Sequence, residues 1–93
     1  MDWKDTTSYS KGDRGHKLPS SFTYDNGLLK ITVTKGHIYY PFIWIMHCFK
    51  LNLSEIDLHL TSDITAKVAQ DKAFKMIRNH IKKISESITL TQN

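Results

Sequence analysis

Residues Thr65–Ile88, TAKVAQDKAFKMIRNHIKKISESI, decide the fold. Advancing about 100° per residue places Ala66, Ala69, Ala73, Phe74, Met76, Ile77, Ile81, Ile84 and Ile88 on one arc. Lys67, Lys72, Lys75, Arg78, Lys82 and Lys83 fall on the other, and Asp71 is the only acid before Glu86. The spacing predicts one long two-faced helix whose apolar stripe must bury against a second layer. The strand-like patterns upstream make that layer a sheet. Thr61-Ser62-Asp63 or Thr65 supplies the helix N-cap.

Working backwards, Ile56, Leu58 and Leu60 alternate with Asp57 and His59. Leu53, Ile56 and Leu60 also fit one face of a helical turn starting at Ser54, but we read Leu51–Leu60 as a short fourth strand. Before it, Ile38–Phe49 is dense in β-branched and aromatic residues. Phe42, Trp44, Met46 and Cys48 alternate there with Ile43, Ile45, His47 and Phe49. Two apolar faces predict a central strand or one with its second face covered. Pro41 lacks an N–H, so a bulge or strand start is expected at that point. Lys35-Gly36 marks the preceding turn.

Asn26-Gly27 is a strong hairpin signal, because a type I′ turn needs positive φ at both central residues. A two-residue loop would pair Asp25 with Leu28, Tyr24 with Leu29 and Phe22 with Ile31. That register gathers Phe22, Tyr24, Leu29, Ile31 and Val33 on one face and Thr23, Lys30, Thr32 and Thr34 on the other. The fold class is therefore α+β, a three- or four-stranded antiparallel sheet (β-β-β-(β)) packed by one long C-terminal helix. Residues 1–21, rich in Ser, Thr, Gly, Lys and Asp without periodicity, read as a flexible arm, and residues 22–93 as a single domain.

A formal net charge of +4 and a pI near 9.3 favour acidic partners, either nucleic acid or an acidic protein or nucleoprotein surface. The helix cations Lys67, Lys72, Lys75, Arg78, Lys82 and Lys83 are the first candidates, since such a row tracks phosphates along a backbone. Lys11, Arg14 and Lys17 of the arm, interleaved with Gly12 and Gly15 and preceded by Tyr9, are the second. Trp3, Tyr9, Tyr39 and Tyr40 are candidate aromatic contacts; core packing accounts for most of the cluster Tyr39, Tyr40, Phe42, Trp44 and Phe49. The β-β-β-α order resembles one half of a double-stranded-RNA-binding domain in topology. That family clusters several lysines in the first helical turn, where this chain has only Lys67, and no residue roles carry over.

His16, His37, His47, His59 and His80 lack ligand spacing, so neither a metal nor another cofactor is expected. No G-x-S-x-G, P-loop, G-x-G-x-x-G or H-E-x-x-H is present, and the expectation is a non-catalytic binding module. Glu55 and Asp57 form a close acidic pair without the lysine a nuclease would add. The lone Cys48 excludes an internal disulfide and fits a reducing cytosol. No apolar run is long enough for a bilayer, so a cytoplasmic protein without membrane contact is expected. The alternative function is a protein-binding inhibitor or regulator of phage or mobile-element type. An anti-CRISPR or other anti-defence factor acting by occlusion is one example, with Tyr39 and Tyr40 or the basic helix as its contact. A homodimer burying Val68 or the free sheet face is a further expectation.

Overall fold

The computed structural model describes residues 3–7 and 19–91, with helix side chains described to residue 88. Five strands follow one another across a single sheet, β1 (Trp3–Asp5), β2 (Ser21–Asp25), β3 (Lys30–His37), β4 (Tyr40–Cys48) and β5 (Leu53–Thr61). Every neighbouring pair is antiparallel. A 3-10 turn, Phe49–Leu51, links β4 to β5, and one helix, α1 (Ala66–Thr91), crosses one face. The class is α+β, as the alternating strands and the helical stripe dictate, with one more strand than the sequence predicts.

The core lies between that face and the helix. Ile31 and Val33 of β3, Trp44, Met46 and Cys48 of β4, and Leu58 of β5 meet Ala69, Ala73 and Ile77 of α1. Among the described residues, two of the three buried on the helix are alanines with no exposed surface, so the backbones approach closely and the sheet supplies the bulk. Trp44 anchors the connection before the helix, because its indole N–H donates to the Ile64 carbonyl at 2.9 Å. The Ala69 amide donates to the Thr65 carbonyl at 3.2 Å, which starts the helix just after Thr65. Cys48 is buried, which makes it a packing residue.

The β2–β3 hairpin departs from the two-residue loop. Tyr24 faces Ile31 and Phe22 faces Val33, leaving a four-residue connection, Asn26 to Leu29. Asn26 determines this, since its side-chain oxygen accepts the amides of Leu28 at 2.9 Å and Leu29 at 2.8 Å. Gly27 alone takes positive φ, +87°, in this connection. The slip is two residues, so every side chain keeps its predicted face.

Three other expectations are corrected. The turn before β4 lies at Ile38–Tyr39, and Gly36, φ +71°, is a bulge inside β3. Part of the arm belongs to the sheet: β1 pairs Trp3 with Tyr24, and the Thr7 hydroxyl accepts the amides of Ser20 and Ser21 at 2.9 and 3.0 Å. Trp3 packs edge-on against Phe74 of α1, 5.2 Å between ring centres, and is partly buried against the core. The helix stripe is buried only as far as Ile77; Ile81, Ile84 and Ile88 are 42%, 43% and 54% exposed. A 26-residue helix is about 39 Å long, and it outruns β4, the longest inner strand, which spans nine residues and about 30 Å.

The fourth strand is real and irregular. β5 carries two register shifts against β4, between Ile43 and Ile45 and between Met46 and Cys48. At these shifts Glu55 (φ +52°) and His59 (φ +58°) occupy the left-handed region, a strained conformation for side chains of that size.

Candidate nucleic-acid interface

The fold creates two polar surfaces, the outer side of α1 and the sheet face away from it. On α1, Lys67, Lys75, Arg78, Lys82 and Lys83 are exposed, while Lys72 is half-buried at the margin of the stripe. Lys67 pairs with Asp71 one turn on, Nζ to Oδ2 3.8 Å, and both side chains are mostly exposed. Such a pair adds little to stability and is easily exchanged for another anion. Among the described residues, no carboxylate lies within ion-pair distance of Lys75, Arg78, Lys82 or Lys83.

Charge is distributed unevenly between helix and sheet. Residues 66–91 hold six Lys or Arg and two acids, an excess of four. The remaining 67 residues balance seven cations against seven acids. The entire formal charge of +4 thus resides on one helix. Lys67, Lys75, Arg78 and Lys82 share about 80° of arc over roughly 22 Å of axis. Low-dielectric core on the opposite side of the helix directs this field outward.

The open sheet face has a different chemistry. Across β1, β2 and β3 runs a hydroxyl ladder, with Thr6 to Thr23 at 2.9 Å, Thr23 to Thr32 at 3.0 Å, and Ser21 to Thr34 at 3.0 Å. Cross-strand hydroxyl pairs satisfy one another and keep this half flat and polar. Toward β4 and β5 the face becomes aromatic and titratable. His47 stacks on Phe49, 5.8 Å between centres, and lies 6.5 Å from the ring of His37. His37 Nε2 is 3.8 Å from a Glu55 carboxylate oxygen.

Both histidines fix local backbone. His37 Nδ1 accepts the Tyr39 amide at 3.1 Å, which closes the β3–β4 turn. His47 Nδ1 accepts the Glu55 amide at 3.2 Å, which holds the strained bulge of β5. An accepting Nδ1 must be unprotonated, so each ring carries its proton on Nε2. Burial, and after it the neighbouring His37, lowers the His47 pKa from its ordinary value, with Glu55 acting in the opposite direction.

Tyr39 is 75% exposed at the turn and Tyr40 is 38% exposed beside it. Phe42 and Phe49, assigned to the packed aromatic cluster by sequence, are 78% and 76% exposed; only Trp44 of β4's aromatics is in the core. Lys11, Arg14, Lys17, Tyr9 and His16 lie outside the described residues. Sequence reading did not single out Lys30, Lys50 or the His37–His47 pair; cross-strand register brings the two histidines together, and no local motif signals it. Among the described residues no group of three or more His, Cys, Asp or Glu could hold a metal, and no helix is long and apolar enough to cross a membrane. No protein-family model matches the chain, and no curated protein or solved structure is significantly similar to it.

Proposed function

We propose that this domain binds the phosphate backbone of nucleic acid through the outer face of α1. The observation that carries the reading is that the whole net charge sits on that one helix, with Lys75, Arg78, Lys82 and Lys83 exposed and unpaired among the described residues. Cations held on a rigid element contact phosphates without first ordering a loop, and their counterion release drives binding. The contacts are to phosphate, so this face fixes position and carries no base specificity. If four of these cations meet phosphates of B-form DNA, log Kd rises with log salt at a slope of about 3.6. Affinity for a labelled duplex would then fall roughly a hundredfold between 50 and 200 mM salt. Fluorescence anisotropy at those concentrations tests this, and a slope below one defeats the reading.

A second reading rests on the β3–β4 turn. Ile38, Tyr39 and Phe42 are each at least 75% exposed at one end of the sheet, an apolar projection of the kind that docks a protein. On this reading the chain is an occluding inhibitor or regulator, with Tyr39 and Tyr40 as anchors. Serine at Tyr39 and Phe42 would then abolish partner capture, while reversal of helix charge would leave it intact.

A further inference from the structure

We infer that the cleft between β3 and β4 on the open sheet face is a site for an unpaired nucleotide of a single strand. Phe49 would stack the base, and Lys30, Lys50 and His47 would hold the phosphate. The cleft has a volume of about 350 Å³ and is lined by Lys30, Thr32, His47, Phe49 and Lys50. That is the lower range of small-ligand sites and enough for a base with its phosphate.

Four features converge on this ligand. The Phe49 ring is 76% exposed at the start of the 3-10 turn, yet held by its stack on His47 at an interplanar angle of 28°. A fixed aromatic face open to solvent suits base stacking, which tolerates any base. The backbone contact at Nδ1 leaves the His47 proton on Nε2, and no acceptor meets that nitrogen among the described residues. The ring is thus a neutral donor available to the cleft. Lys50 lines the cleft, donates to the Gly27 carbonyl at 3.1 Å and keeps two further N–H groups. Lys30 and Lys50 give the cleft two cations, and no carboxylate lines it. Asp25, opposite Lys30 in the β2–β3 register, accepts the Gly27 amide at 2.9 Å, and Glu55 lies 3.8 Å from His37 and also acts on His47.

The occupant is a single strand because bases in a duplex are already stacked and present no face to Phe49. From Thr32, which lines the cleft, the Thr23, Thr6 and Ser21 hydroxyls continue the same face away from it and would exchange bonds with one another for bonds to the following sugar and phosphate. The site lies across the sheet from the basic helix and does not depend on it.

Anisotropy of the full chain against labelled oligo(dT) and a labelled duplex, at 50 mM salt, tests the site with two variants. Phe49→Ala is expected to weaken oligo(dT) binding about 5- to 100-fold and leave duplex affinity unchanged. Lys75→Glu with Arg78→Glu is expected to remove duplex binding and leave the Phe49-dependent part of oligo(dT) binding in place. Equal oligo(dT) affinity of the wild type and Phe49→Ala overturns the inference, as does absence of oligo(dT) binding by the wild type. Loss of duplex binding alone touches only the helix reading, so the two fail separately. Phe49 lies outside the core, and an unchanged thermal transition confirms that the variant is folded.

Discussion

The Glu55 amide donates to Nδ1 of His47 at 3.2 Å, and Glu55 holds a φ of +52°. One imidazole therefore stabilises a strained bulge, and it does so only while Nδ1 is bare. Protonation puts a second N–H opposite the Glu55 amide, and the bond is lost. Around His47 stand His37 from β3, Glu55 from β5, Lys30 from β3 and Lys50 from the 3-10 turn. The lowered pKa fixes the sign: above an ordinary value of 6.5 neither the folded nor the unfolded chain is protonated at this site. Below 6.5 the unfolded chain takes up the proton first, so stability falls with pH until the lower folded pKa is passed, and then levels. Urea melts from pH 7.5 to 5 should show that decline, and His47→Asn, which keeps an acceptor without a titrating ring, should flatten it. An equal decline in the variant would assign the effect to other groups.

Trp3 ties the edge strand to the helix through Phe74, 5.2 Å away, and through Tyr24, 5.8 Å away. β1 is three residues long and has no other large side chain on the core. Trp3→Ala should cost about 1–3 kcal/mol, less than a fully buried tryptophan. Hydrogen exchange would localise the change: β1 and β2 amides should lose protection while those between β3 and β4 keep it.

Ile77 and Ile84 occupy the same helix stripe with opposite surroundings, 3% against 43% exposed. Ile77→Ala should cost about 2–5 kcal/mol and Ile84→Ala well under 1. If Ile84→Ala costs as much as Ile77→Ala, and the loss depends on protein concentration, the free end of the helix is buried between two copies. Sedimentation of the wild type would settle the stoichiometry in that case.

The legible parts of the chain were those with a period. Alternation placed Phe22, Ile31, Val33, Trp44 and Met46 on the correct face, and a 3.6-residue repeat separated Lys75, Arg78 and Lys82 from Ala69, Ala73 and Ile77. The hairpin register was not legible, because Asn26 satisfies two amides with its side chain and so lengthens the loop. β1 was invisible because three residues, Trp3–Asp5, cannot display a pattern. The bulges of β5 were hidden because positive φ at Glu55 and His59 leaves no sequence mark of the kind glycine gives. The end of the buried stripe at Ile77 depends on strand length against helix length, a tertiary quantity. The His37–His47 pair needed the β3–β4 register, so the chemistry of the open face emerged only from the fold.

The central claim is that α1 contacts phosphates, and paired charge reversal tests it most directly. Lys75 and Arg78 are exposed and point away from the core, so Lys75→Glu with Arg78→Glu should leave the thermal transition within about 0.5 kcal/mol of wild type. Duplex DNA and duplex RNA titrated at 50 mM salt should bind the wild type with a steep salt dependence and fail to bind the reversed variant. Equal duplex affinity of the two proteins, or no duplex binding by the wild type at that salt, would contradict the account.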